Sequence, residues 1–304
     1  MDQHDTPHHP EHDTPHADEQ RTDTPHADEQ RTDTPHADEQ RTDTPHTDDP
    51  HNESTEHADP LQAPGTDEEH WRAWDGWAHL ADTELPTAGR VVVVAAHPDD
   101  EVLGVGGSIA LLAAAGVAVT VVSVTDGELS HADSTAITSH QLVGIRAAEL
   151  REALAELGAD AQDIVRLRVA DTEVAGHEDE VAAALVPLLS DADLCLAPWT
   201  GDVHSDHEAT GRAALTAARK ASVPCLLYPV WMWHWARPDD PRVPWASASL
   251  VRLPEEVAAR KRAAVQRFVS QARSLGSSPD DAAVLPPGEI AHHVRDFEVV
   301  FTPA

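Results

Sequence analysis

Residues 91–101 read VVVVAAHPDDE, six small apolar residues in a row followed by His97, Pro98, Asp99, Asp100 and Glu101. An unbroken apolar run of that length, ended by a turn, marks a strand covered on both faces, as in a parallel sheet. Runs of the same kind predict strands at Val117–Val124, Ile164–Val169, Leu194–Ala197 and Val223–Tyr228. Amphipathic stretches between them predict helices over Gly107–Ala115, Ser139–Leu157, Glu178–Leu189 and His207–Ala221. This alternation predicts an α/β fold, Rossmann-like and doubly wound, its mainly parallel sheet carrying helices on both faces. A segment at Ala248–Leu253, a helix over Glu255–Ser270 and an edge strand at Phe297–Phe301 complete the expected domain. Upstream, Trp71, Trp74 and Trp77 recur every three residues, which suits one face of a short helix docked on that domain.

Outward from this core the composition changes. Residues 1–66 hold 18 Asp and Glu against three Arg, with nine Pro and only seven residues from the set AVILMFWYC. Such a segment buries too little apolar surface to offset the entropy of ordering it, so a disordered tail is expected, with the domain at 67–304. The tail is built on the ten-residue repeat RTDTPHADEQ and carries ten of the 21 histidines. It offers no apolar face for stacking, so it reads as a solvated, duplicated segment rather than a solenoid. With a formal charge of −33 the chain lacks the basic face that nucleic acid or an anionic membrane would need. The polar start has no signal-peptide pattern, and the apolar stretch Ile109–Val124 is shorter than the roughly 20 residues of a bilayer span. Cys195 and Cys225 both lie in apolar runs and read as buried thiols. The expectation is a cytoplasmic protein with a small-molecule substrate.

Ligands of open parallel sheets bind outside the carboxyl ends of the strands. Two such ends are rich in metal-binding groups: His97, Asp99, Asp100 and Glu101 after the first strand, and Asp202, His204, Asp206 and His207 after the fourth. Taken singly, each loop reads as a helix N-cap. Together, imidazoles and carboxylates on one sheet edge point to a Zn²⁺ or Fe²⁺ site, since Ca²⁺ and Mg²⁺ prefer all-oxygen shells. Spacing alone leaves open which carboxylate would bind.

The run AHPDDE followed by GVGGSIA, TDGE at 125–128 and DVHSDHEATGRAA resembles the PIG-L/LmbE-like N-deacetylases. Arg146, Glu149, Lys261, Ala264, Ser270 and Gln271 extend the resemblance, which spans residues 91 to about 271. It implies a zinc-dependent hydrolase that removes acetyl from N-acetylglucosamine-type substrates. It also implies His97, Asp100 and His207 as metal ligands and Asp99 as general base. His204, protonated, would stabilise the reacting carbonyl, and Asp206 would orient His204. Arg146 and Asp171 become candidates for substrate contact.

Other features carry less chemistry. Gly104, Gly106 and Gly107 do not form a dinucleotide fingerprint, because three acids separate them from the strand; close helix packing explains them. In YPVWMWHW, Trp231, Trp233 and Trp235 alternate, which on an extended segment projects them to one side. They read as an aromatic plug, an oligomer contact or a sugar-stacking wall. Rival readings of the whole chain are a hydrolase of another small amide and a non-catalytic metal- or sugar-binding protein.

Overall fold

The computed structural model describes residues 60–61, 63–159 and 164–303. Most of the expected tail, residues 1–59, lies outside the described residues. In chain order the elements are α1 (Glu68–Arg72), β1 (Ala81–Asp82), β2 (Arg90–Ala95), α2 (Asp100–Ala114), β3 (Ala118–Thr125) and α3 (Ser139–Leu157). There follow β4 (Ile164–Val169), α4 (Glu178–Leu189), β5 (Leu194–Pro198), α5 (Ser205–Ala221), β6 (Cys225–Tyr228) and α6 (Met232–Trp235). The chain closes with β7 (Ala248–Arg252), α7 (Glu255–Val265), α8 (Val269–Ala272), α9 (Pro287–His292) and β8 (Phe297–Phe301).

The eight strands form one sheet in the order β1-β7-β8-β6-β5-β2-β3-β4. All pairings within β6-β5-β2-β3-β4 are parallel, as the apolar runs required. Side chains of β2 alternate between two cores. Val92 and Val94 pack with Val181, Leu185 and Ala213 of α4 and α5. Val91 and Val93 pack with Ile109, Leu154 and Val257 of α2, α3 and α7. Helices therefore cover both faces, and the sheet is doubly wound. The chain runs outward from β2 through β3 to β4, then returns to β5 on the other side of β2. The switch point lies between β2 and β5, where the two metal-rich loops emerge side by side.

Four local expectations need correction. Phe297–Phe301 is no edge strand: β8 lies between β6 and β7, antiparallel to both. Its Val299 and Phe301 enter one core and Val300 the other, and the actual edges are the two-residue β1 and, at the far side, β4. The helix expected from Gly107 starts at Asp100, with a kink at Val105. Glycine content argues against a helix there, but contact decides otherwise. A Cβ on Gly104 would sit 2.1 Å from the Tyr228 ring and one on Gly107 2.5 Å from Leu253, so these glycines allow α2 to press against its neighbours. The helix expected over Glu255–Ser270 is broken between Gln266 and Phe268. Finally, Trp233 and Trp235 lie on the helical turn α6, not on a strand, and the predicted alternation fails.

The Trp71 segment does dock on the domain, but not as one helix: α1 ends at Arg72, and Trp77 lies on a separate 3₁₀ turn at Asp75–His79. Trp71 is fully buried, edge-on to Trp233 at 5.2 Å, and the Arg295 guanidinium lies 4.2 Å over Trp233. Glu68 holds this corner through His292 Nδ1 at 2.8 Å and Arg295 Nη2 at 2.6 Å. Burial would raise the Glu68 carboxyl, but the bonds from His292 and Arg295 outweigh it and hold it near 2 instead of 4.5. A depressed carboxylate stabilises the fold above its unfolded pKa and loses that contribution as pH falls through the folded one. Glu68→Gln should therefore lower the Tm at pH 6 to 7, with the gap from wild type closing between pH 4.5 and 2. Thermal melts of both proteins across that range check this.

Candidate active site

Each half of the site is the start of a helix that follows a buried strand. After β2 the chain turns so sharply that Asp99 takes φ +155°, a region L-residues rarely adopt and one found at functional sites. The Asp100 carboxylate closes the turn by accepting the His97 N–H at 2.8 Å. After β5, His204 caps α5 by accepting the Asp206 N–H on Nδ1 at 3.3 Å, which places His207 in the first turn. Asp99 and His204 both stand at helix N-caps, but only His204 makes a side-chain cap bond, and the two turns aim the side chains.

Three groups converge. His97 Nδ1 lies 3.2 Å from His207 Nε2, His207 Nε2 lies 3.2 Å from Asp100 Oδ1, and Asp100 Oδ2 lies 3.4 Å from His97 Nδ1. Tetrahedral zinc with ligands at roughly 2.0–2.1 Å separates neighbouring ligand atoms by about 3.3 Å. The spacing and the N,N,O donor set therefore fit such an ion. Each imidazole gives its remaining nitrogen to carboxylates: His97 Nε2 faces Asp171 at 3.1 Å and Asp206 at 3.3 Å, and His207 Nδ1 faces Asp202 at 2.7 Å. Carboxylates behind metal-binding histidines fix ring orientation and raise ligand basicity. Two further sets, His97–His204–His207 and His97–Asp171–Asp206, also bring potential ligand atoms within 4.8 Å. The second of these uses the nitrogen of His97 that points away from His207 and Asp100.

Burial lowers the affinity of both imidazoles for a proton, yet the surrounding carboxylates win. His97 is held well above 6.5 and His207 near 9. Asp99 stands beside the triad, its Oδ2 on Arg146 Nη2 at 2.9 Å. Burial pushes its carboxyl up to about 6 against the pull of Arg146, close to the value that suits a general base at neutral pH.

Two residues have surroundings that differ from those their expected roles use. The Asp206 carboxylate bonds to His97 and to the Thr172 and Val174 N–H groups, while only its backbone N–H meets His204. Asp206 thus orients His97 rather than His204. Burial and the nearby His207 and His97 charges push the His204 imidazole down to about 3, against the protonated form its expected role uses. With Nδ1 accepting from Asp206, the proton of the neutral ring sits on Nε2. The two candidates for substrate contact line the cavity and bond within the protein, with Arg146 Nε left unpartnered. Arg146 donates to Asp99 and to the Gly127 and Pro98 carbonyls, and Asp171 accepts from Leu129 N–H as well as facing His97.

A sequence model of the PIG-L family, described as GlcNAc-PI de-N-acetylase, matches residues 92–218. A 1D-myo-inositol 2-acetamido-2-deoxy-alpha-D-glucopyranoside deacetylase from Rhodococcus opacus is 30% identical over 226 residues, 66% of this chain and 70% of that protein. The chain belongs to the PIG-L family. A second relative of the same name, from Actinosynnema mirum, is 49% identical over 80 residues, but this spans only 24% of the chain and 28% of the relative. The conserved protein TT1542 from Thermus thermophilus superposes with a TM-score of 0.51 at 25% identity, covering 70% of this chain and 94% of that one.

Within this PIG-L chain, sequence reading assigned no role to Asp202, although it placed the residue in the right loop. Asp202 is fully buried and accepts from His207 Nδ1 and from the backbone N–H groups of Val230, Trp231 and Met232, at 2.7–3.1 Å. Its signal was a lone acid five residues before a histidine; the loop after β6 that completes its shell left no local trace. Asp202→Asn should weaken metal binding about 10–100-fold, because the carboxylate behind His207 loses its charge. Competition with a chelating dye measures it.

Proposed function

We propose that the protein is a metal-dependent N-deacetylase, with zinc as the metal, acting on the acetamide of an N-acetylglucosamine-type sugar or conjugate. The observation that carries this reading is the buried His97–Asp100–His207 convergence with Asp99 beside it, in a chain of this family. A divalent ion held there supplies Lewis acidity, polarising an acyl oxygen and acidifying water. Asp99 accepts the proton of the attacking water at its carboxylate, which Arg146 keeps in place. His204 donates from Nε2 to the acetyl oxygen as negative charge develops on it. The proton on Asp99 then passes to the departing amine. No helix among the described residues is long and apolar enough to cross a membrane. A cytoplasmic location belongs to the same reading, which two free, buried thiols support.

The test is acetate and free-amine release from a panel of N-acetylated sugars and simple amides by zinc-loaded protein. Release from the sugars is expected. Release from non-sugar amides only would move the reading to another amide hydrolase, and no release from any member would leave a binding protein.

A further inference from the structure

The triad opens into a cavity of about 520 Å³ whose lining is of two kinds. The charged groups near the triad come from the chain following β2, β4 and β5 and, for Arg146, from α3. Much of the remaining wall is apolar: Leu61, Leu129, Val230, Trp231, Val284 and Pro286. Two ionisable side chains in that part, His234 and Glu289, are committed to the protein itself. His234 Nδ1 meets Glu289 Oε1 at 2.6 Å, and its Nε2 donates to the Ala63 carbonyl at 2.9 Å. Ser130 and Gln271, also in the lining, bond to each other. Most polar groups of this part are thus bonded within the protein, Gln271 Oε1 being an exception, and an arriving ligand meets largely apolar surface there. Leu129, in contrast, leaves 39% of its surface open, area that an apolar ligand would cover.

Leu61 joins this wall because the segment that follows it is pinned to α6. Thr66 donates its N–H to the His234 carbonyl at 2.8 Å and its hydroxyl to the Ala236 carbonyl at 2.6 Å. Gly65 runs so close that a Cβ there would stand 2.5 Å from His234 Nδ1.

We propose that the substrate carries an apolar group, alkyl or aryl, beside its acetylated amino sugar, and that Leu61 and Trp231 select for that group. This rests on the deacetylase reading and adds the substrate class to it. Burying two methylenes is worth roughly tenfold in binding, so the selection is measurable with short chains.

The experiment uses full-length, zinc-loaded protein with N-acetylglucosamine and its hexyl glycoside, followed by turnover and by calorimetric binding. Wild type should favour the hexyl glycoside in kcat/KM by roughly tenfold or more. Leu61→Asp and, separately, Trp231→Ser should each shrink that ratio several-fold. Equal values for the two sugars in wild type, or a ratio that neither variant changes, overturns the proposal. If neither sugar turns over, the deacetylase reading falls, and calorimetry still decides this one. Tighter hexyl binding that depends on Leu61 supports it; equal affinity overturns it.

Discussion

Asp99→Asn is expected to lower kcat by about 10²–10⁴-fold, the usual contribution of a positioned general base, while metal content stays as in wild type. The two outcomes separate because Asp99 is adjacent to the triad without belonging to it. Its Oδ2 faces Arg146, whereas the triad atoms are His97 Nδ1, His207 Nε2 and the Asp100 carboxylate. Asparagine preserves shape and volume and removes the proton-accepting oxygen. The N-cap geometry that creates φ +155° is kept, so a folding defect is not the expected explanation of lost turnover. Steady-state kinetics with elemental analysis on the same preparation decides the point. Wild-type turnover in the variant would assign the base elsewhere.

His207→Ala should abolish tight metal binding altogether. The protein to use lacks residues 1–59, because the ten histidines before residue 60 would bind metal and mask the result. The cut is placed there rather than at residue 66 because Ala63 and Thr66 bond to α6. About one ion per chain in the parent and close to none in the variant is the expected result. The fold should survive, since Asp202 keeps its three backbone donors from the loop after β6. An ion retained at full stoichiometry would shift the site to His97, Asp171 and Asp206, the alternative cluster that does not use His207.

Legibility from the sequence followed the range of each interaction. The HPDDE and HSDH loops were readable because an apolar strand and the polar turn after it are adjacent in the chain. The same holds for β2 to β6, for α3, and for the buried thiols Cys195 and Cys225, which face each other in register across β5 and β6. The failures share one cause. The start of α2, the placement of β8 and the turn at Trp231–Trp235 all depend on surfaces from distant segments. Gly104 packs on Tyr228, and Glu298 of β8 accepts from Gly107, Ser108 and Lys261. Lys261, one of the residues that extend the resemblance, is buried where it makes that bond.

The sequence by itself determined the α/β class, the two strand-end loops and the residue types that suit a borderline metal. Each of these is written in local patterns of apolar runs, helical spacing and turn residues. Only the tertiary structure decided which carboxylate serves which imidazole. Asp206 turned to His97 across 109 positions, Asp171 reached it across 74, and Asp202 took His207. Side-chain direction at such a site follows from how the helices pack against the sheet, and from burial that makes every unpaired polar atom costly. Neither is encoded in any short stretch of the chain.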